Sequence, residues 1–90
     1  QEACDWGLVN RVVPDAQLMD EAILLAQKFA QGPTRAYGAV KTLLAETFTT
    51  AFEAQMERES RMIADMMRSR DGREGMDAFL NKRKPNFTGE

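Results

Sequence analysis

The sequence predicts a mainly all-α fold, with a short N-terminal extended segment or strand followed by about four helices in a single domain over residues 1–90. Three observations carry that expectation. Apolar residues recur every three to four positions from Leu18 onward, the spacing that lines one face of a helix. Gly32-Pro33 and Pro85 punctuate the pattern, because glycine suits the position just past a helix and proline either opens a helix or stops it. Thr50 with Glu53, and Asp71 with Glu74, have the spacing of capping boxes, in which two side chains satisfy backbone N–H groups that a helix start leaves unpaired.

In chain order, Gln1 to Trp6 reads as the last turn or two of a helix broken at Trp6-Gly7, and a start at Gln1 rather than Met leads us to expect further chain upstream. Leu8 to Val13, LVNRVV, is β-branched and closed by Pro14, so it is expected to be a strand. With no partner in sight, it must join a sheet elsewhere or serve as an extended connector. Asp15 is expected to cap a helix running to about Gln31, with Leu18, Ala22, Leu25 and Phe29 on one face and Gly32 left-handed at its end.

The second helix, about Pro33 to Glu46, groups Ala36, Tyr37, Val40, Leu43 and Leu44, and directs Lys41 elsewhere. The third, about Ala51 to Arg68, carries a stripe of Phe52, Met56, Ile63, Met66 and Met67, with Glu57–Arg61 and Asp65–Arg68 as exposed pairs. Glu59 interrupts that stripe. A carboxylate there must reach solvent or a partner, and an edge position beside an arginine explains it better than a catalytic role.

The last helix opens at Asp71 and sets Met76, Phe79 and Leu80 on one face; Pro85 then sends the chain out in extended form through Asn86, Phe87 and Thr88. Lys82, Arg83 and Lys84 complement the negative end of a helix macrodipole, which is the reading that composition favours. The alternative is that these three cations, beside Phe79 or Phe87, hold a phosphate-bearing ligand.

Composition narrows the chemistry. The chain has no His, which removes His-based triads and the commonest metal ligand, and one Cys, which removes thiolate clusters and internal disulfides. Counting leaves a paired-carboxylate mechanism open, but the acids stand mostly where caps and solvated helix faces explain them, so no catalytic residue and no metal site are assigned. The last twenty residues hold four acids and four bases, so no basic field is present to attract nucleic acid. No run of eighteen apolar residues exists, so no membrane span is expected. The lone Cys4 suits a reducing compartment, expected to be the cytoplasm, or the mitochondrial matrix should a transit peptide lie upstream. Six Met and 43% hydrophobic residues in so short a chain lead us to expect apolar surface left over for another domain or another copy.

Three stretches together resemble the C-terminal third of the enoyl-CoA hydratase/isomerase, or crotonase, family. They are Ala3-x-x-x-Gly7-Leu8-Val9-Asn10-x-Val12-Val13-Pro14; Gly32-Pro33 with Lys41 eight residues on; and Asp71-x-x-Glu74-Gly75-Met76-x-Ala78-Phe79-x-x-Lys82-Arg83-Lys84-Pro85-x-Phe87. The resemblance implies an acyl-CoA enzyme whose catalytic ββα spiral lies upstream. There, two backbone N–H groups would hold the thioester oxygen and one or two acids would hydrate or shift the double bond. No position in this chain matches those groups, so the chain alone is expected to be inactive. The resemblance further implies a helical tail that covers the active site and takes part in trimer contacts, often in a hexamer. CoA enters only as part of the thioester substrate, with no separate cofactor. The family's Phe-x-x-Lys motif falls on Phe79 and Lys82. By resemblance Phe79 lies near the adenine of a neighbouring subunit's CoA, Lys82 pairs with a CoA phosphate and Arg83 gives structural support. Hydratase and isomerase are not distinguished, and a free-standing helical interaction module stands as the non-catalytic alternative.

Overall fold

The computed structural model describes residues 1–90 and contains helices but no β-strand: α1 Glu2–Asp5, a 3-10 turn Asp15–Gln17, α2 Leu18–Ala30, α3 Thr34–Glu46, α4 Phe52–Arg68 and α5 Arg70–Leu80. The mainly all-α expectation holds. The strand expected over Leu8 to Val13 does not form; that run is a bend followed by irregular chain, because no other segment offers a ladder for its N–H and C=O groups. Ahead of it, α1 closes at Gly7, whose φ is 77°. Gly7 N–H donates to the Cys4 carbonyl at 3.0 Å and Leu8 N–H to the Ala3 carbonyl at 2.9 Å, the paired bonds that end a helix through a left-handed residue.

Three expected helix starts, at Asp15, Thr50 and Asp71, and one helix end differ in detail. Asp15 makes no capping bond: Pro14 leads straight into the 3-10 turn, so Asp15 already lies inside helical geometry, and α2 begins only at Leu18. Gly32 is not left-handed. It is buried under Tyr37, and a Cβ there would lie 2.2 Å from the phenol oxygen, so any other residue would have to displace that ring. The Tyr37 ring in turn meets Phe29 edge to face, centroids 5.8 Å apart, tying the end of α2 to α3. At α4 the capping box of Thr50 and Glu53 is not made, because Ala51 occupies the cap position and Thr50 Oγ1 accepts from Arg58 at 3.3 Å.

The substantial helix packing is α3 on α4 and α4 on α5. Ala39, buried on α3, faces an apolar cleft shared with Leu43, Met62, Ile63 and Met66. Gln55 spans the other end of the α3–α4 pair, donating to the Leu43 carbonyl at 3.4 Å and to Glu59 at 3.0 Å. Glu59 thus has a glutamine partner rather than the expected arginine, since Arg58 pairs with Glu46 instead. The exposed pairs Glu57–Arg61 and Asp65–Arg68 form as expected and contribute only tenths of a kcal/mol, about 0.3 each.

Between α4 and α5 the chain turns on the single extended residue Ser69. Ser69, not Asp71, caps α5: its Oγ accepts from Gly72 N–H at 2.9 Å and donates to the Met66 carbonyl at 2.6 Å. So sharp a turn lays Gly72 directly on α4, where a Cβ would fall 2.1 Å from the Met66 carbonyl oxygen and 2.9 Å from Met67 Cα.

Little of the chain is buried. Its accessible surface is 7590 Å², whereas a compact monomer of this mass shows about 5,300 Å². The radius of gyration is 16.8 Å against about 12 Å expected for 90 residues. The molecule is a slab of 42 × 38 × 19 Å. Its helices expose Leu18, Met19, Leu24, Phe52, Ile63 and Leu80, among others. No helix is long and apolar enough to cross a membrane.

Candidate functional site

The candidate site lies at the exit of α5. The helix runs from Arg70 only to Leu80, and none of Lys82, Arg83 and Lys84 falls in its last turn. The macrodipole reading of the basic run therefore does not hold. The helix stops instead through Lys82, whose φ of 51° is left-handed. Lys82 N–H donates to the Phe79 carbonyl at 3.2 Å and Arg83 N–H to the Ala78 carbonyl at 3.0 Å, the same pair of bonds that closes α1 at Gly7.

That turn joins the two residues singled out in the sequence through their backbones. Phe79 is 80% exposed, with its carbonyl bonded to Lys82, and the Lys82 side chain makes no ion pair within the chain. Arg83, one residue on, behaves quite differently. Its guanidinium folds back over α5 and grips Glu74 with two bonds, of 2.6 and 2.8 Å, and Asp77 with a third of 2.5 Å. The basic cluster thus separates into a structural arginine and lysines free to meet a ligand.

Two acids on α5 hold the chain that returns along the helix. Glu74 takes the Asn86 N–H at 2.7 Å besides its bonds to Arg83. Asp71, buried to 3% exposure, accepts from Thr88 N–H at 2.7 Å and Gly89 N–H at 2.8 Å, while its own N–H donates to the Glu90 carbonyl at 2.8 Å. Arg70 pairs with the Glu90 side chain at 2.9 Å. Between these fastenings the Phe87 ring rests against Gly75. The bond from Arg83, followed by that from the Asn86 N–H, holds the Glu74 carboxyl down at about 2, below its ordinary 4.5. Hydrogen bonding to Glu74, and then to Asp77, raises Arg83 in turn.

Neither acid's role follows from helical spacing. Asp71 and Glu74 read as a capping box because they stand three apart before an apolar run, yet both carboxylates point to the returning segment. The only available signal was an acid-rich helix followed, past a proline, by a run of chain whose N–H groups had no partner.

The family model for enoyl-CoA hydratase/isomerase matches residues 1–90, the whole chain. The chain belongs to the enoyl-CoA hydratase/isomerase family. It is 41% identical over 92 residues to the 1,2-epoxyphenylacetyl-CoA isomerase of Escherichia coli, covering all of this chain and 34% of that protein. With the 2,3-dehydroadipyl-CoA hydratase of the same organism it shares 34% identity over 89 residues, covering 99% of the chain and 35% of the relative. Among solved structures, an enoyl-CoA hydratase of Geobacillus kaustophilus superposes with a TM-score of 0.90 at 34% identity, over 100% of this chain and 34% of that one. The chain thus spans about a third of the length of the enoyl-CoA hydratase/isomerase relatives it matches.

Proposed function

We propose that this chain is the C-terminal helical domain of an enoyl-CoA hydratase, which covers the CoA end of the substrate site and joins copies of the enzyme to one another. The observation that carries the reading is the two-bond turn at the α5 exit, which joins an exposed Phe79 through its carbonyl to an ion-pair-free Lys82, while the neighbouring Arg83 is consumed by two carboxylates. An aromatic face beside a free ammonium suits an adenine and a phosphate. Phe79 packs near the adenine and Lys82 pairs with a CoA phosphate, on the CoA bound by a neighbouring copy. The substrate is an acyl-CoA thioester, and no cofactor beyond its CoA is called for. Catalytic groups belong to the ββα spiral upstream. The apolar faces of α2 and α5 are the surfaces offered to that domain and to further copies in a trimer or hexamer. A cytoplasmic setting accords with the free Cys4.

A second reading, the tail of an isomerase, is favoured by the 41% identity to the E. coli isomerase. The two differ in upstream acids and leave the role of Lys82 unchanged. In the full-length enzyme, Lys82→Ala is expected to raise KM for acyl-CoA several-fold, by about 1 to 2 kcal/mol of lost binding, with a smaller fall in kcat, because the contact is remote from the reacting bond. Steady-state kinetics measure this. An unchanged KM removes Lys82 from the site.

A further inference from the structure

Lys82 stands where a side chain is disfavoured. In the same two-bond helix stop at α1 the left-handed position is filled by Gly7, at φ 77°, and the α5 stop places a lysine there at φ 51°. A residue in that conformation persists only when its surroundings over-determine it. Two restraints do so. Upstream, the carbonyls of Ala78 and Phe79 hold Arg83 and Lys82 by their N–H groups. Downstream, Glu74 holds the Arg83 guanidinium with one carboxylate oxygen at 2.6 Å and the other at 2.8 Å, and the first of these also accepts the Asn86 N–H at 2.7 Å. Arg83 and Asn86, the residues just past Lys82, are thereby bridged by a single carboxylate, with Asp77 as a second hold on Arg83.

We infer that Glu74 is a positioning residue for CoA binding: by fastening Arg83 and Asn86 together it fixes the left-handed turn at Lys82 and presents that ammonium to the ligand phosphate before the ligand arrives. The inference rests on the assignment of Lys82 proposed above. Glu74 does not touch the ligand itself, because both of its oxygens are engaged and it carries the ligand's own sign of charge. Its contribution is preorganisation: without the bridge, Lys82 samples other backbone conformations and binding must select among them.

A double-mutant cycle in the full-length enzyme tests this, with free CoA as the probe in titration calorimetry. Glu74→Gln is expected to weaken CoA about three- to tenfold, Lys82→Ala about tenfold, and the double variant no more than Lys82→Ala alone, because Glu74 acts only through Lys82. Steady-state kinetics of Glu74→Gln should show a raised KM for acyl-CoA with kcat within about twofold. Should Glu74→Gln fail to fold, Arg83→Lys replaces it in the cycle, since it keeps the charge but loses the two-pronged grip. Losses that add in the double variant mean a general structural role and overturn the inference. So does wild-type affinity in Glu74→Gln when Lys82→Ala is weakened, and that outcome leaves the Lys82 assignment standing. Wild-type affinity in Lys82→Ala instead overturns the site assignment, and the inference falls with it.

Discussion

Lys82 is where backbone preference and the proposed ligand chemistry pull in opposite directions. A left-handed lysine costs roughly 1 kcal/mol relative to glycine, so Lys82→Gly should stabilise the protein by about 1 kcal/mol in urea unfolding while weakening CoA binding as much as Lys82→Ala does. A glycine variant that is less stable would show that the lysine side chain supports the fold. The neighbouring Glu74 yields a pH dependence. Its folded value of about 2 lies below the ordinary 4.5, so the stabilisation from its pairing with Arg83 is complete above the higher value and is lost as pH falls through the lower. The stability difference between wild type and Glu74→Gln should therefore stay level from about pH 7 to 5 and shrink between about 4.5 and 2. A difference that persists undiminished at the acid end of the titration would mean the pair acts through shape alone. Residue-scale features such as these were the least legible in the sequence. Phe79 and Lys82 were singled out only through a family motif, the φ at Lys82 contradicts what a lysine ordinarily signals, and the Glu74–Arg83 pair spans nine residues across a turn, outside any helical periodicity.

At the scale of elements, the α4–α5 junction depends on the absence of one atom. Gly72→Ala would drive a methyl into the Met66 carbonyl, where backbone cannot yield as a side chain would, and should cost about 3 kcal/mol. Gly38 is the internal control: it lies within α3 with nothing near its missing Cβ, so Gly38→Ala should stabilise by up to about 1 kcal/mol. Equal midpoints for the two variants in denaturant would mean that α4 and α5 are free to separate. The helices themselves were readable from apolar spacing and from Gly32-Pro33, whereas their starts were not. A box of the right spacing occurs at Thr50 and at Asp71, but each lies off the true cap, which falls at Ala51 and Ser69. Caps are decided by where packing lets a helix begin, and at Ser69 it was the contact of Gly72 with α4 that decided. The strand expected at Leu8 to Val13 failed for a related reason: β-branched residues describe a surface that fits a sheet, and within this chain there is no sheet to fit.

For the molecule as a whole, the surplus of accessible surface over a compact monomer is about 2,300 Å², nearly three times the ~800 Å² that one partner contributes to a standard interface. A single covering contact is too small to account for it. The 90-residue chain, produced alone, is accordingly expected to self-associate through α2 and α5, giving a scattering mass of at least twice the 10.1 kDa of one copy. A monodisperse monomer at high concentration would argue that its apolar faces are fitted to a neighbouring domain only. The fastening of the returning segment to α5 acts in the other direction. Asp71 and Arg70 at the first turn hold Thr88, Gly89 and Glu90, and Glu74 one turn on holds Arg83 and Asn86. The helix and the chain beyond it form a closed circuit, so fraying of either end is opposed by bonds to the other.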